Sequence, residues 1–130
     1  MNLATLRRMR DQYDALDART KQFAIQVILF VRDIEALPVL RWLGRQLVHA
    51  ATSVAANQRA ARRARSTREL AAKLSIIVEE ADESAFWCEI IEALPLPDAL
   101  KPQLRALVIE AHQLRAIYAT GRATVRARLS

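Results

Sequence analysis

The sequence predicts an all-α protein, an antiparallel up-down-up-down four-helix bundle that forms a single domain over residues 1–130. Apolar residues recur at steps of three and four along most of the chain, which is the period of an amphipathic helix. Hydrophobic residues make up 52% of the chain, enough for a buried core. Because only 2 Gly and 4 Pro are present, chain reversals are few and the helices between them are long.

The helix boundaries follow from the prolines and from one capping signal. One break lies at Pro38, and another lies between residues 95 and 102, where three prolines cluster. The third break contains neither Gly nor Pro, but Ser66 precedes Glu69 by three residues, the spacing of a capping box. The predicted helices run from about Asp17 to Leu37, from Val39 to Arg63, from Thr67 to Leu94 and from Pro102 to Arg126.

The first segment is apolar on more than one face, so we expect it to be the most enclosed helix. Beside its inward set, Ile25, Ile28 and Leu29 add aliphatic groups on other faces. Residues 1–16, rich in Arg and Asp, are expected to form a helical arm or a frayed leader. The third segment has the most regular period, with the a/d spacing of coiled-coil packing, at Leu70, Leu74, Ile77, Ala81, Ser84, Cys88 and Ile91.

The cysteine content and the hydropathy exclude two classes of protein. Cys88 is the single cysteine, so no intramolecular disulfide and no cysteine zinc cage can form, which predicts a cytoplasmic protein. No apolar run approaches the roughly 20 residues that a membrane span needs, so no membrane role is expected.

Charge is segregated along the chain. Residues 39–78 carry eight basic side chains and one acid, whereas residues 79–98 carry seven acids and no base. The formal net charge of the whole chain is +6, which favours a polyanionic partner.

Four arginines of the second helix form a stripe. Arg41, Arg45, Arg59 and Arg63 fall within about 40° on a helical wheel, in two pairs about 21 Å apart. One interpretation of this stripe is that it binds successive phosphates of RNA or DNA, with a salt-dependent affinity and little sequence selectivity. Three further arginines extend it into the turn between the second and third helices, namely Arg62, Arg65 and Arg68.

Two other interpretations of the stripe remain open. The arginines are either a solvated face or partners of the acidic residues of the third helix, in the same or a neighbouring subunit. Aromatic residues do not interleave with the stripe, which argues against a surface that stacks the bases of single strands.

No set of residues predicts catalysis, a metal site or a cofactor. Neither His49 nor His112 follows a Glu by three residues, so the Glu-x-x-His pairs of metal-binding bundles are absent. Cys88 falls on the buried seam, where a thiol is an inert apolar group. We therefore predict a protein that is not an enzyme.

The outer face of the third helix predicts self-association. It mixes large apolar groups with carboxylates, a composition that marks contact surfaces. The alternative is that Trp87 closes one end of the monomer core. The predicted interface residues are Ile76, Glu79, Glu83, Phe86, Trp87 and Ile90.

Several runs of the sequence resemble a known family. They are residues 10–24 (RDQYDALDARTKQFA), 44–47 (GRQL), 52–57 (TSVAAN), 63–66 (RARS) and 79–83 (EEADE), together with Trp87. Together they resemble the bacterial four-helix bundle proteins related to open reading frames inside intervening sequences of 23S ribosomal RNA genes. A distant branch contains the accessory variability proteins of diversity-generating retroelements.

The resemblance implies a cytosolic bundle that assembles as a ring, typically a homopentamer, and its distant branch implies binding of nucleic acid. It implies no catalytic residues. The functional expectation is therefore a non-enzymatic, self-associating cytosolic bundle whose basic surface binds the backbone of RNA or DNA. The alternative is a structural or protein-binding oligomer whose partner is an acidic protein.

Overall fold

The computed structural model describes residues 2–129, so Met1, the first residue of the predicted arm, and Ser130 lie outside the described residues. The described chain is all-α: four long helices pack together and no strand occurs within this range, which confirms the prediction of an all-α protein with four helices. The helices are α1 (Leu3–Ile34), α2 (Pro38–Arg62), α3 (Thr67–Glu92) and α4 (Lys101–Ala127), and a short 3₁₀ turn, Asp98–Leu100, precedes α4.

The first helix begins earlier than the predicted start at Asp17. The side chain of Asn2 accepts a hydrogen bond of 2.8 Å from the backbone N–H of Thr5, which caps the helix. Residues 3–16 therefore continue α1 as a helical arm. The apolar period is weak in this arm, because its side chains are mostly exposed.

The start of α3 agrees with the capping signal at Ser66. The Ser66 hydroxyl accepts a hydrogen bond of 3.0 Å from the backbone N–H of Glu69. The Glu69 carboxylate in turn accepts the backbone N–H of Arg65 at 3.0 Å, one residue before the position expected of a capping box. The prediction that a helix begins here without Gly or Pro is confirmed.

The seam predicted for α3 lies in the core. Of its seven residues, Leu70 is half-buried and the other six are buried. Consecutive helices pack most extensively, whereas α1 and α4 meet over a smaller area. The largest fully buried side chains of the other helices include Phe23, Phe30, Leu47, Val54, Leu104 and Leu114.

The prediction that the first helix is the most enclosed is wrong. Ile25, Ile28 and Leu29 are between 41% and 45% exposed, because α1 is covered on its inner face only. An aliphatic surface on the outside of α1 is therefore left uncovered by the rest of the chain.

Within residues 2–129, none of the helices combines the length and the apolar composition that a membrane crossing requires.

Replacing each of the two glycines by Ala is expected to have opposite effects on the free energy of unfolding. A Cβ on Gly44 would lie 2.7 Å from Cγ1 of Val31, so α1 and α2 approach closely there, whereas a Cβ on Gly121 would meet nothing within 4 Å. Ala favours a helix over Gly by about 1 kcal/mol, and overpacking costs about 1 to 3 kcal/mol. We expect Gly121→Ala to raise the free energy of unfolding by about 0.5 to 1 kcal/mol, and Gly44→Ala to lower it by about 1 kcal/mol.

Urea denaturation of both variants measures the difference. In a Val31→Ala background the change at Gly44 should become neutral or stabilising, because the clash is gone. Two variants that stabilise the protein equally would contradict the close approach of α1 and α2.

Candidate nucleic-acid interface

The arginine stripe lies on the outer surface of α2. All four of its residues, Arg41, Arg45, Arg59 and Arg63, are exposed. Arg41 donates from Nε to the carbonyl oxygen of Glu35 at 3.0 Å. The side chains of the other three make no hydrogen bond and no ion pair with any described residue, so their guanidinium groups remain available to a ligand.

A groove between α1 and α2 holds one end of the stripe. Its volume is about 740 Å³. Lys21 of α1 faces Arg59 and Arg63 across it, and the two small residues Ala55 and Ala56 line it as well. The ion-paired Asp17 and Arg62 complete the lining. Lys21 was not among the predicted site residues, because a lone lysine on α1 carries no signal until the register of the two helices is known.

Arg62 does not belong to the free stripe. Its guanidinium forms an ion pair of 2.6 Å with Asp14 and a second with Asp17, both on α1. The wheel separates Arg62 from Arg59 by about 60°, and this rotation directs it toward α1. The site prediction is therefore revised at this residue, since its charge is already balanced within the chain.

The carboxylate of Asp17 is the centre of a network that joins three helices. Gln58 of α2 donates from Nε2 to Asp17 at 2.8 Å, and the Tyr118 hydroxyl of α4 donates to Oε1 of Gln58. Burial disfavours the charge of Asp17, but the hydrogen bonds from Gln58 and Arg62 outweigh it and lower the pKa of Asp17. Burial raises the pKa of Tyr118, so this hydroxyl stays a donor at neutral pH.

Gln58 and Tyr118 were not predicted to form a polar pair. Both are only 3% exposed. Their partners are more than forty residues away in sequence, so helical spacing within one segment could not reveal them. The one local signal of this network was Gln58, a polar residue at a position where the apolar period of α2 predicts a buried side chain.

Arg65 and Arg68 lie beside the start of α3 as predicted. Both are exposed, and neither side chain makes a hydrogen bond or ion pair with a described residue. They extend the positive surface beyond the C-terminal end of α2.

Three carboxylates of α3 lie within ion-pair distance of side chains of α4, and none lies within that distance of the arginine stripe. Glu89 contacts His112 at 2.8 Å, and Glu92 contacts Arg105 at 3.3 Å. Asp82 lies 3.7 Å from Arg115. Within the described chain, the acidic half of α3 therefore leaves the stripe unpaired.

The predicted interface face of α3 is partly covered within the chain. Trp87 is half-buried and packs edge-on against Trp42 of α2, with ring centroids 5.8 Å apart, and against Phe86 at 5.0 Å. Its indole N–H donates to Glu83 at 3.1 Å. Phe86 and Trp42 remain 50% and 57% exposed. Of the other predicted residues, Glu79 is exposed, and Ile76 and Ile90 are half-buried.

Chemistry-bearing side chains outside the basic face are few. Cys88 is fully buried, and burial raises the pKa of its thiol to about 12. Over the described part of the chain, no three His, Cys, Asp or Glu residues are grouped as a metal site would need.

Comparison with known proteins shows the fold. A crystal structure of a protein of unknown function, from the S23 ribosomal protein family of Bacteroides thetaiotaomicron VPI-5482, is similar to this chain with a TM-score of 0.74. The two sequences are 19% identical, and the match covers 85% of this chain and 97% of the other. At this identity the likeness establishes a shared helical architecture. No protein-family model and no curated protein matches the chain.

Proposed function

We propose that the protein is a non-catalytic, self-associating cytoplasmic bundle that binds the phosphate backbone of nucleic acid through α2. One observation carries the proposal: the side chains of Arg45, Arg59 and Arg63 project from one exposed face and make no hydrogen bond or ion pair with a described residue. Like charges on one helix face repel each other, and phosphates that neutralise them release counterions from the nucleic acid. The net charge of +6 further favours association with a polyanion.

The binding is expected to be insensitive to sequence. Guanidinium groups on a helix face that lacks aromatic residues contact phosphates, and such contacts carry no base information. The aromatic cluster of Trp42, Phe86 and Trp87 lies between α2 and α3, and Lys21 shows that the basic groove opens on the α1 side of α2.

The antiparallel up-down-up-down order that the proposal includes is supported by the long-range pairs. Between α1 and α2, Asp17 pairs with Arg62 while Glu35 contacts Arg41. Between α3 and α4, Glu92 pairs with Arg105, and residue 75 contacts residue 126. In both helix pairs, residues later in the first helix contact residues earlier in the second. The two helices of each pair therefore run in opposite directions.

Self-association is supported by the exposed apolar surface. Phe86 and Trp42 both pack against Trp87. An apolar cleft of about 340 Å³ lies near the C-terminal end of α3, beside the start of α2. Side chains of this kind anchor protein interfaces. A head-to-tail contact closes into a ring, and the family resemblance sets its number at five.

A second candidate function is a ring whose partner is an acidic protein. The observation in its favour is the aliphatic surface of Ile25, Ile28 and Leu29, because an apolar patch beside basic side chains suits a protein surface. In that case the same arginines would contact carboxylates of the partner.

The test of the proposed function replaces two free arginines. In Arg59→Gln/Arg63→Gln, the slope of log affinity against log salt should flatten by about 1.4 to 1.8 units, because two phosphate contacts are lost. The matched control, Arg7→Gln/Arg8→Gln, removes the same charge from the exposed arm of α1 and should leave most of the slope in place. Fluorescence anisotropy with labelled nucleic acid measures both.

Circular dichroism and light scattering complete the experiment. The helical content and the mass of the double variant should equal those of the wild type. An unchanged salt slope would remove the nucleic-acid role of this stripe, and a loss of oligomer would assign the arginines to carboxylates of a neighbouring subunit.

A further inference from the structure

Basic side chains occur at the same two levels on both α1 and α2. At one level, Lys21 of α1 shares the groove with Arg59 and Arg63 of α2. We call these three residues the Lys21 cluster. Asp17 also lines this groove, where its charge is balanced by the ion pair with Arg62. Lys21, Arg59 and Arg63 have no hydrogen bond or ion pair with another described side chain.

The second level lies near the other end of α2. Val31 of α1 faces Gly44 of α2, and Arg41 bonds to the carbonyl oxygen of Glu35. Arg32 and Arg45 each follow this contact by one residue, about 100° farther round their helices and away from the core. Arg32, Arg41 and Arg45 form the Arg32 cluster.

The Arg32 cluster is open to solvent. All three of its members are exposed. Arg32 lies 3.5 Å from Asp33 on the same helix, and such an exposed pair contributes little energy that a phosphate would have to replace.

The surface between the two clusters is uncharged. Residues 22–31 of α1 contain no charged side chain, and residues 46–58 of α2 contain neither an acid nor a Lys or Arg, His49 being the one titratable group. Ile25 and Ile28 expose aliphatic surface in this interval. The clusters are about 21 Å apart along α2 and about 17 Å apart along α1.

We propose that this face binds double-stranded nucleic acid, with the two clusters contacting phosphates on opposite sides of one groove of the duplex. This inference rests on the proposed function and names its ligand class. The major groove of a DNA duplex is about 12 Å wide, and the phosphates that border it add to that width. The phosphates of one strand then contact one cluster and those of the other strand contact the second cluster. The groove between the strands lies over the uncharged interval.

A single strand fits this surface poorly. A strand that reaches both clusters must lay its intervening phosphates over Ile25 and Ile28, where no cation compensates for their lost hydration. Stacking of the bases on aromatic side chains cannot offset that cost, because no aromatic residue is exposed in the interval. A single strand is therefore held by one cluster at a time.

The test compares one sequence in two forms. The probes are a DNA duplex of about 20 base pairs, which spans two helical turns, and each of its separated strands. Because two clusters act together on the duplex, its affinity at about 0.15 M salt should exceed that of either strand by at least about tenfold. A duplex RNA of the same length shows whether the preference extends to the A-form helix.

Two variants test the role of each cluster. Lys21→Gln/Arg59→Gln and Arg32→Gln/Arg45→Gln should each reduce the ratio of duplex to single-strand affinity to within about threefold, since one remaining cluster holds both forms equally. The control Arg7→Gln/Arg8→Gln should keep the ratio of the wild type.

The outcomes separate this inference from the proposed function. Wild-type protein that binds single strands as tightly as the duplex would overturn the inference and leave backbone binding intact. Wild-type protein that binds neither form would overturn both. A duplex preference that survives in both cluster variants would also overturn the inference, because the preference would then arise elsewhere.

Discussion

Phe86→Asp is expected to convert the proposed homopentamer to monomers. Five copies of the 14.7 kDa chain give a mass of about 74 kDa. The mass measured by light scattering at micromolar concentration should therefore be about 74 kDa for the wild type and about 15 kDa for the variant. Phe86 is 50% exposed in the single chain, and a carboxylate in the centre of an apolar contact loses its hydration without gaining a partner. The carboxylate introduced at position 86 would also be repelled by the acidic side chains already present on α3.

The choice of Phe86 separates assembly from folding. Trp87 is half-buried against Trp42, so its replacement would also disturb the packing of α2 on α3. The matched control is Ile109→Asp on α4, since Ile109 is 51% exposed. The control should keep the mass of the wild type. A wild-type mass near 15 kDa would contradict the proposed ring.

Gln58→Leu is expected to lower the free energy of unfolding by about 3 kcal/mol. The change removes the acceptor of the Tyr118 hydroxyl and one donor to the Asp17 carboxylate. An orphaned buried polar group costs about 1 to 3 kcal/mol, and a lost hydrogen bond to a charged group costs about 1.5 to 3 kcal/mol. Urea denaturation at a fixed protomer concentration measures the sum.

A second substitution tests the reason for this loss. Adding Tyr118→Phe to Gln58→Leu removes the orphaned hydroxyl, so the pair should be more stable than Gln58→Leu alone by about 1 to 2 kcal/mol. If Gln58→Leu changes the free energy by less than about 0.5 kcal/mol, which is the level of a neutral surface substitution, the network contributes nothing to stability.

The fold was predictable where the apolar period is regular and the chain breaks are chemically marked. The α3 seam and the cap at Ser66 are local patterns, and the structure has both. The arm of α1 was harder to assign, because a helix that extends past its neighbours has no core to face. Its start depends on the cap at Asn2 rather than on an apolar stripe.

The site was predictable only along single helices. The wheel of α2 groups Arg59 with Arg63, but it does not contain the information that Lys21 lies opposite them or that Asp14 and Asp17 bind Arg62. These contacts join residues of different helices, so they depend on the register between α1 and α2. For the same reason the exposure of Ile25 and Ile28 could not be read from the apolar pattern of α1 alone.

The salt dependence of nucleic-acid binding by the wild-type protein tests backbone recognition most directly. With four arginines of the α2 stripe on phosphates of a duplex, a plot of log affinity against log salt should be linear with a slope of about −3.6 or steeper. A slope near zero, or no binding at about 0.15 M salt, would contradict the proposal that this surface binds phosphates.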